Sequence, residues 1–243
     1  MANDNSIVIT KETIKRLTKD IREMIKNPLD QDGIYYKHDE TNMLQGYAYI
    51  NGPNDSQYIG GNYFFKFNFP YDYPHQPPKV EFITNDGITR FHPNLYKNGK
   101  VCLSILNTWR GEQWSGCQSI RTILLTIISI MDKYPLLHEP GFTMAHSDVN
   151  KYSEIILFKN LEFSVINIIN KLNDNSSSIL FSYYIDLFKN EIISEFNKNK
   201  NDILSILEKK KDFPNETINA NIYKLNVLID WKYIYNNFNE IKI

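Results

Sequence analysis

Residues 91–106 read FHPNLYKNGKVCLSIL, and this stretch decides how the whole chain is interpreted. Its Asn98-Gly99 pair is a strong tight-turn signal, because both residues tolerate the positive φ angles that such turns need. A turn there folds the chain back and predicts that Asn94 lies beside Cys102. An amide held near a thiol suits acyl transfer, in which the sulfur forms a thioester and the amide donates a hydrogen bond to the oxyanion.

Two other interpretations of this cysteine stay open at the level of the residues. A cysteine between Val101 and Leu103 is, in most proteins, a small buried apolar residue rather than a nucleophile. His92 also suggests a cysteine–histidine pair of the protease kind, but such pairs come from separated segments and need a third group that orients the histidine. A histidine followed by proline is more typical of a residue that braces a loop.

The composition of the chain excludes several classes of protein. Its 243 residues include 27 basic and 28 acidic side chains, a formal net charge of −1, so no bulk electrostatic attraction to nucleic acid or to an anionic membrane is expected. Two cysteines, Cys102 and Cys117, cannot form a disulfide framework, which favours a reducing compartment.

We find no signal peptide in residues 1–10, and the most apolar run, residues 120–131, is too short to cross a membrane. We expect a cytoplasmic protein, with access to the nucleus left open.

Hydrophobic periodicity predicts an α+β fold. Apolar residues at helical spacing from Ile14 to Ile25 predict a first helix that ends before Pro28. Four strand-like runs follow and predict an antiparallel meander: residues 34–37, 44–50, 63–69 and 79–84. The third run alternates as a half-buried strand does. After the irregular stretch with the cysteine, residues 120–131 predict a second, buried helix.

The character of the chain changes near residue 147. All ten glycines lie at or before Gly141, and nine of the ten prolines lie at or before Pro140. The remainder has no glycine and one proline, the residues typical of tight turns, and its pattern is typical of helices joined by short polar links. We therefore predict a core over residues 8–147 and an all-helical carboxy-terminal extension over residues 148–243. The apolar stripes of that extension either pack on the core or form a groove for a partner.

Four motifs together resemble the ubiquitin-conjugating enzyme family. They are Tyr58-Ile59-Gly60-Gly61, the element from Tyr73-Pro74 to Pro77-Pro78, His92-Pro93-Asn94 followed after seven residues by Cys102-Leu103, and Trp114-Ser115. Their order along residues 10–145, with a helix, four strands, the cysteine loop and a second helix, is the order in that family. The insertion at residues 106–113 and the segment 139–142 are similar to the larger members, especially the Z-type enzymes. They also resemble the O-type enzymes and the conjugating domain fused to apoptosis-inhibitor repeats.

The resemblance implies the ubiquitin-conjugating fold and a role for each site residue. Cys102 would accept the carboxy terminus of ubiquitin, or of a ubiquitin-like modifier, as a thioester from an activating enzyme. It would then pass that acyl group to a lysine amine or to a ligase cysteine. Asn94 would stabilise the oxyanion or hold the loop, and His92 would brace that loop. Glu139 is the positional candidate for an acidic residue that orients and desolvates the incoming lysine. Ser104 stands where many members carry an aspartate.

The resemblance also implies the partners: a modifier, an activating enzyme, protein lysine substrates and a ligase. The loops around His75 and Gly116 would dock the ligase, and both depart from residues that are common in the family. We expect no cofactor and no metal in this chain, because ATP is used by the upstream activating enzyme, and no contact with nucleic acid or membrane. The alternative is a non-catalytic module of the same fold that binds ubiquitin or a ligase, since a fold does not by itself give an activity.

Overall fold

The computed structural model describes residues 9–172 and 179–242. The first helix, α1 (Lys11–Lys26), begins after Thr10, whose side chain accepts a hydrogen bond from a backbone N–H of the first turn. It ends just before Pro28, because a proline disfavours helical geometry at the residue that precedes it. The predicted first helix is therefore confirmed.

Four antiparallel strands form a meander in the order β1-β2-β3-β4. They are β1 (Ile34–His38), β2 (Gln45–Asn51), β3 (Asn62–Asn68) and β4 (Lys79–Phe82). Each strand overlaps one of the four runs that the sequence predicts, so the meander is confirmed. The pairing of β2 with β3 places Ala48 opposite Phe65 and Tyr49 opposite Phe64, which sends successive aromatic side chains to opposite faces of the sheet.

One face of the sheet packs against the helices of the core. Phe65 and Phe67 of β3 belong to the same buried cluster as Ile123 and Ile127 of the second helix, α2 (Ile120–Ser129). That helix begins with a capping box, in which the side chain of its N-cap serine and that of a threonine three residues later each accept a backbone N–H of the other. The predicted second helix is confirmed.

The other face of the sheet is buried as well, which corrects the expectation that β3 is half-buried. Phe64 has no exposed surface, and its ring stacks on Tyr184 and Phe188 with centroids 5.6 and 6.2 Å apart. Tyr49, its neighbour on β2, is buried against the same Phe188 ring. The alternating pattern within a strand shows which side chains share a face of the sheet. It does not show that the second face is covered, because the covering residues lie more than 100 positions downstream.

The extension contains helices, a π-helical segment and a two-stranded sheet. In chain order these are α3 (Asp148–Lys159), the π-helical segment (Asn160–Asn167), α4 (Ile168–Lys171), α5 (Ile179–Leu187), α6 (Lys189–Lys210), β5 (Glu216–Ala220), β6 (Leu225–Ile229) and α7 (Trp231–Asn239). The α+β fold with a carboxy-terminal extension is confirmed.

The hairpin of β5 and β6 shows that the prediction of an all-helical extension is wrong for residues 216–229. The prediction rested on the absence of glycine from this part of the chain. The hairpin turns instead through Ile222–Lys224, in which Tyr223 and Lys224 take positive φ angles of 57° and 54°. Its strands contain β-branched residues such as Thr217 and Val227, which fit a pleated surface.

Buried polar side chains join the core to the extension. Asn160, at the start of the π-helical segment, accepts a hydrogen bond from the Tyr63 hydroxyl (2.6 Å) and donates one to the Ile59 carbonyl (2.9 Å). Asn62 donates to the Ser164 carbonyl (2.8 Å) inside the same segment. Because buried polar groups need these partners, the contacts fix where the extension sits on the sheet.

The predicted division between the two parts falls at the first residue of α3, and its outer limits, residues 8 and 243, lie outside the described residues. Val149 and Ile155 of α3 belong to the same buried cluster as the core helices, so apolar packing continues across the division. The division of the chain into a core and an extension stays a prediction. In the part of the chain that the structure describes, no helix is both long and apolar enough to cross a membrane.

Candidate active site

The cysteine loop folds back on itself, as the Asn98-Gly99 pair predicts. The N–H of Gly99 donates to the Tyr96 carbonyl at 2.9 Å, and Gly99 has a φ of +84°, which glycine adopts at little steric cost. The returning chain brings the backbone N–H of Cys102 to 2.8 Å from the Asn94 carbonyl. The predicted neighbourhood of these two residues is therefore confirmed.

The Asn94 side chain holds the backbone of the cysteine. Its Nδ2 donates to the Cys102 carbonyl at 2.6 Å, while its Oδ1 is buried without a hydrogen-bond partner. This contact is the one expected of a residue that holds the loop. Stabilisation of an oxyanion by the same amide stays a prediction.

The Cys102 thiol is covered by the insertion that follows it. Only 2% of the residue is exposed, and its Sγ donates to the carbonyl of Thr108 at 3.0 Å. The Thr108 hydroxyl accepts a hydrogen bond from the N–H of Leu103 (2.9 Å) and lies 2.9 Å from the Val101 carbonyl. Thr108 therefore fastens the loop of residues 107–113 to the backbone on both sides of the cysteine.

His92 is fully buried beneath the loop. Its Nδ1 accepts a hydrogen bond from the N–H of Asn94 at 2.9 Å, the contact of a residue that braces the loop. Burial lowers the pKa of His92 well below its ordinary value, and the nearby His138 and Arg90 add to this effect. In a neutral imidazole one ring nitrogen accepts a hydrogen bond and the other carries a proton. Here the accepting nitrogen, Nδ1, is already occupied by the N–H of Asn94. No free lone pair is left to take a proton from the Cys102 thiol, which argues against a protease pair.

Glu139 lies at the end of a short 3-10 turn (Pro135–His138) and contacts the extension. Its Oε2 accepts a hydrogen bond from the Tyr223 hydroxyl and lies 4.0 Å from a guanidinium nitrogen of Arg90. The carboxylate side chain is 23% exposed. Its action on an incoming lysine stays a prediction.

Arg90 connects Glu139 to the cysteine loop. Its guanidinium contacts two aromatic rings, 3.7 Å from the centroid of Tyr96 and 4.2 Å from that of Tyr223. The same guanidinium donates to the Pro93 carbonyl, one residue before Asn94. Sequence reasoning missed Thr108, Arg90 and Tyr223, because each makes its contact through the tertiary fold and none belongs to a local motif.

Comparison with known proteins identifies the family. The family model described as "Ubiquitin-conjugating enzyme" matches residues 16–155, which is more than half of the chain and contains every motif named above. The chain belongs to the ubiquitin-conjugating enzyme family. This confirms the resemblance and makes the protein a member of a transferase family.

The relatives of this chain include proteins named as Z-type members of the family. "Ubiquitin-conjugating enzyme E2 Z" of Danio rerio is 40% identical over 163 residues, 66% of this chain and 49% of the relative. The Homo sapiens protein of the same name is 40% identical over 157 residues, 63% of this chain and 44% of the relative. The chain thus spans about half the length of the curated relatives it matches. Among solved structures, human ubiquitin-conjugating enzyme E2 G1 is 34% identical, with a TM-score of 0.43 over 50% of this chain and 94% of that one.

The two loops expected to dock a ligase lie together at α1. His75 is exposed, and its Nε2 lies 3.2 Å from the Glu12 carboxylate on α1. On the other loop, the Gly116 carbonyl accepts a hydrogen bond from Arg16 of α1. The Trp114 indole donates to the Pro74 carbonyl at 2.7 Å and so links the two loops to each other. Their use by a ligase stays a prediction.

The second cysteine differs from the first in its exposure. Cys117 is exposed, in contrast to the buried Cys102, and lies after the second docking loop. Within residues 9–172 and 179–242, no group of three or more His, Cys, Asp or Glu side chains is placed to hold a metal ion.

Proposed function

We propose that this conjugating enzyme accepts ubiquitin, or a ubiquitin-like modifier, as a thioester on Cys102 and transfers it to a substrate lysine, alone or with a ligase. The observation that carries the proposal is the double hydrogen bond between Asn94 and the backbone of Cys102, in a chain that belongs to this family. It supports the proposal because it holds a side-chain amide on the residue that carries the thiol, so that both could meet one acyl group once the thiol is uncovered.

The chemistry is two acyl transfers. In the first, the Cys102 sulfur attacks the thioester carbonyl on the activating enzyme; a new C–S bond forms, the C–S bond to the activating enzyme breaks, Cys102 loses its proton and the departing sulfur gains one. In the second, a lysine Nζ attacks the Cys102 thioester; a C–N bond forms, the C–S bond breaks, the amine loses a proton and the cysteine sulfur regains one. The second step passes through an oxyanion that the Asn94 amide would stabilise directly or by holding the loop.

Access to the sulfur requires movement of the covering loop. Cys102 is only 2% exposed, and its Sγ donates to the Thr108 carbonyl of this loop. We therefore infer that residues 107–113 shift when the activating enzyme delivers the modifier. Glu139 would then assist the lysine by orientation and desolvation.

A charging reaction tests the proposal. The full chain is mixed with an activating enzyme, ATP and ubiquitin or a ubiquitin-like modifier, and the products are compared on non-reducing and reducing gels. We expect a thiol-sensitive adduct in the wild type that is absent in Cys102→Ala. The exposed cysteine provides the matched control: Cys117→Ala should retain the adduct.

One observation favours the alternative function, a non-catalytic module that binds ubiquitin or a ligase. The Cys102 thiol is only 2% exposed, as expected for a cysteine that merely fills space. If no adduct forms with any activating enzyme and modifier tested, while ubiquitin or a ligase still binds, the module is the better account.

A further inference from the structure

The turn of the β5–β6 hairpin holds an unusual backbone conformation next to the candidate site. Tyr223 and Lys224 both lie in the left-handed region, which non-glycine residues seldom adopt and two in succession more seldom still. Such conformations persist only where the surrounding structure enforces them, and they cluster at functional sites. Here the N–H of Ile222 donates to the buried Asp148 carboxylate at 3.0 Å, which fixes the turn on the first residue of α3.

This conformation places Tyr223 against Glu139, the candidate acid, and against Arg90, which contacts the cysteine loop. Its hydroxyl donates to the Glu139 carboxylate, and its ring covers the Arg90 guanidinium at 4.2 Å. The same guanidinium lies 3.7 Å from the centroid of the Tyr96 ring and donates to the Pro93 carbonyl. Tyr223 therefore contacts Glu139 directly. It also contacts Arg90, which in turn holds the backbone just before Asn94.

We propose that Tyr223 is a positioning residue for transfer to lysine: its hydroxyl aims the Glu139 carboxylate, and its ring keeps Arg90 on the Pro93 carbonyl. The proposal rests on the proposed function, since it assigns to the extension a part in the second acyl transfer. The extension thereby completes the active site of the core.

A purely structural role would make the same contacts, so the test must separate the two nucleophiles that can discharge Cys102. A lysine amine needs orientation and loss of a proton, whereas a small thiol such as 2-mercaptoethanol exchanges with a thioester without that help. If Tyr223 positions Glu139 for the amine, loss of its hydroxyl slows discharge to lysine and leaves discharge to the thiol unchanged.

The experiment measures single-turnover discharge of the full chain after charging with ubiquitin and removal of ATP. Tyr223→Phe removes the hydroxyl and keeps the ring. The matched control is Tyr235→Phe, which removes another tyrosine hydroxyl of the extension, one that donates to Glu208 at 2.7 Å. Hydrogen bonds to charged groups suggest a loss of roughly tenfold in the rate with lysine for Y223F. We expect wild-type rates with both nucleophiles for Y235F.

Coupling to the carboxylate is tested in the same assay. We expect Glu139→Gln to slow discharge to lysine as Y223F does, and the Y223F/E139Q double variant to be no slower than E139Q alone, because the two side chains act as one unit. Additive losses would show that the hydroxyl does not act through Glu139 and would overturn the proposal.

Two other outcomes also overturn it. Wild-type discharge to lysine in Y223F would show that the hydroxyl has no part in transfer, and equal slowing with lysine and thiol would show a structural role only. A wild-type chain that never charges contradicts the proposed function itself, so the two failures are distinguishable.

Discussion

At the scale of single residues, the polar side chains of the His92-Pro93-Asn94 motif form hydrogen bonds with backbone groups. Asn94 donates to the Cys102 carbonyl, and His92 accepts from the Asn94 N–H. We expect Asn94→Ala to charge normally and to discharge to free lysine about 100-fold more slowly, the typical loss for an oxyanion donor. Single-turnover gels measure both steps. Unchanged discharge would remove Asn94 from the mechanism. Equal slowing of charging and discharge would show that Asn94 acts only by holding the loop.

The buried histidine has a consequence for stability at low pH. Burial lowers the pKa of His92 well below 6.5, so below about pH 6.5 the unfolded chain binds a proton that the folded chain does not. The stability that the neutral ring provides is thus complete above pH 6.5 and is lost as the pH falls toward the folded pKa.

We therefore expect the free energy of unfolding to fall between pH 7.5 and pH 5.5, by up to about 1.4 kcal/mol per pH unit for one proton. Urea titrations of the wild type and of His92→Gln measure this. The variant should be less stable at pH 7.5 and should lose less on acidification. Part of the slope should remain, because burial also lowers the pKa of His38. An equal slope in both proteins would exclude His92 as its source.

At the scale of elements, two glycine-to-alanine variants test the turn that precedes the cysteine. Gly99 and Gly87 both have positive φ angles, +84° and +74°. A Cβ at Gly99 would lie 3.0 Å from the Phe82 carbonyl oxygen, whereas one at Gly87 would meet nothing within 4 Å. We expect Gly87→Ala to cost about 1–2 kcal/mol for the left-handed backbone, and Gly99→Ala to cost more. Urea unfolding compares them, and equal costs would contradict the close contact.

Elements with a strong local pattern could be predicted from the sequence, and elements that depend on distant partners could not. Helical periodicity identifies α1 and α2, alternation identifies the meander, and an Asn-Gly pair identifies the turn that brings Asn94 to Cys102. The hairpin at residues 216–229 was missed because its turn uses Tyr223 and Lys224 in place of glycine. The burial of Phe64 and the covering of the thiol by Thr108 were missed because both arise from tertiary contacts.

At the scale of the whole molecule, the extension and the core bury each other's surface. Phe188 of the extension packs on Tyr49 and Phe64 of the sheet, and Asn160 is bonded to the core at two points. A chain that shares its buried surface in this way should unfold as one unit.

Fluorescence of single-tryptophan variants checks this. A chain with Trp109 and Trp231 replaced by Phe reports on the core through Trp114, and one with Trp109 and Trp114 replaced reports on the extension through Trp231. For each variant, the urea midpoint of the tryptophan fluorescence is compared with the urea midpoint of its far-UV signal. The two midpoints should coincide in both variants. A separate, earlier transition at Trp231 would show that the extension unfolds alone.

The central claim is that the buried thiol of Cys102, and not the exposed thiol of Cys117, carries the acyl group. Its most direct test is the intact mass and chemical stability of the adduct formed by Cys102→Ser and by Cys117→Ser with an activating enzyme, ATP and ubiquitin. The account predicts an oxygen ester in C102S, which resists thiols and is cleaved by alkali, and a thiol-sensitive adduct in C117S. A thiol-sensitive adduct that persists in C102S and disappears in C117S would contradict it.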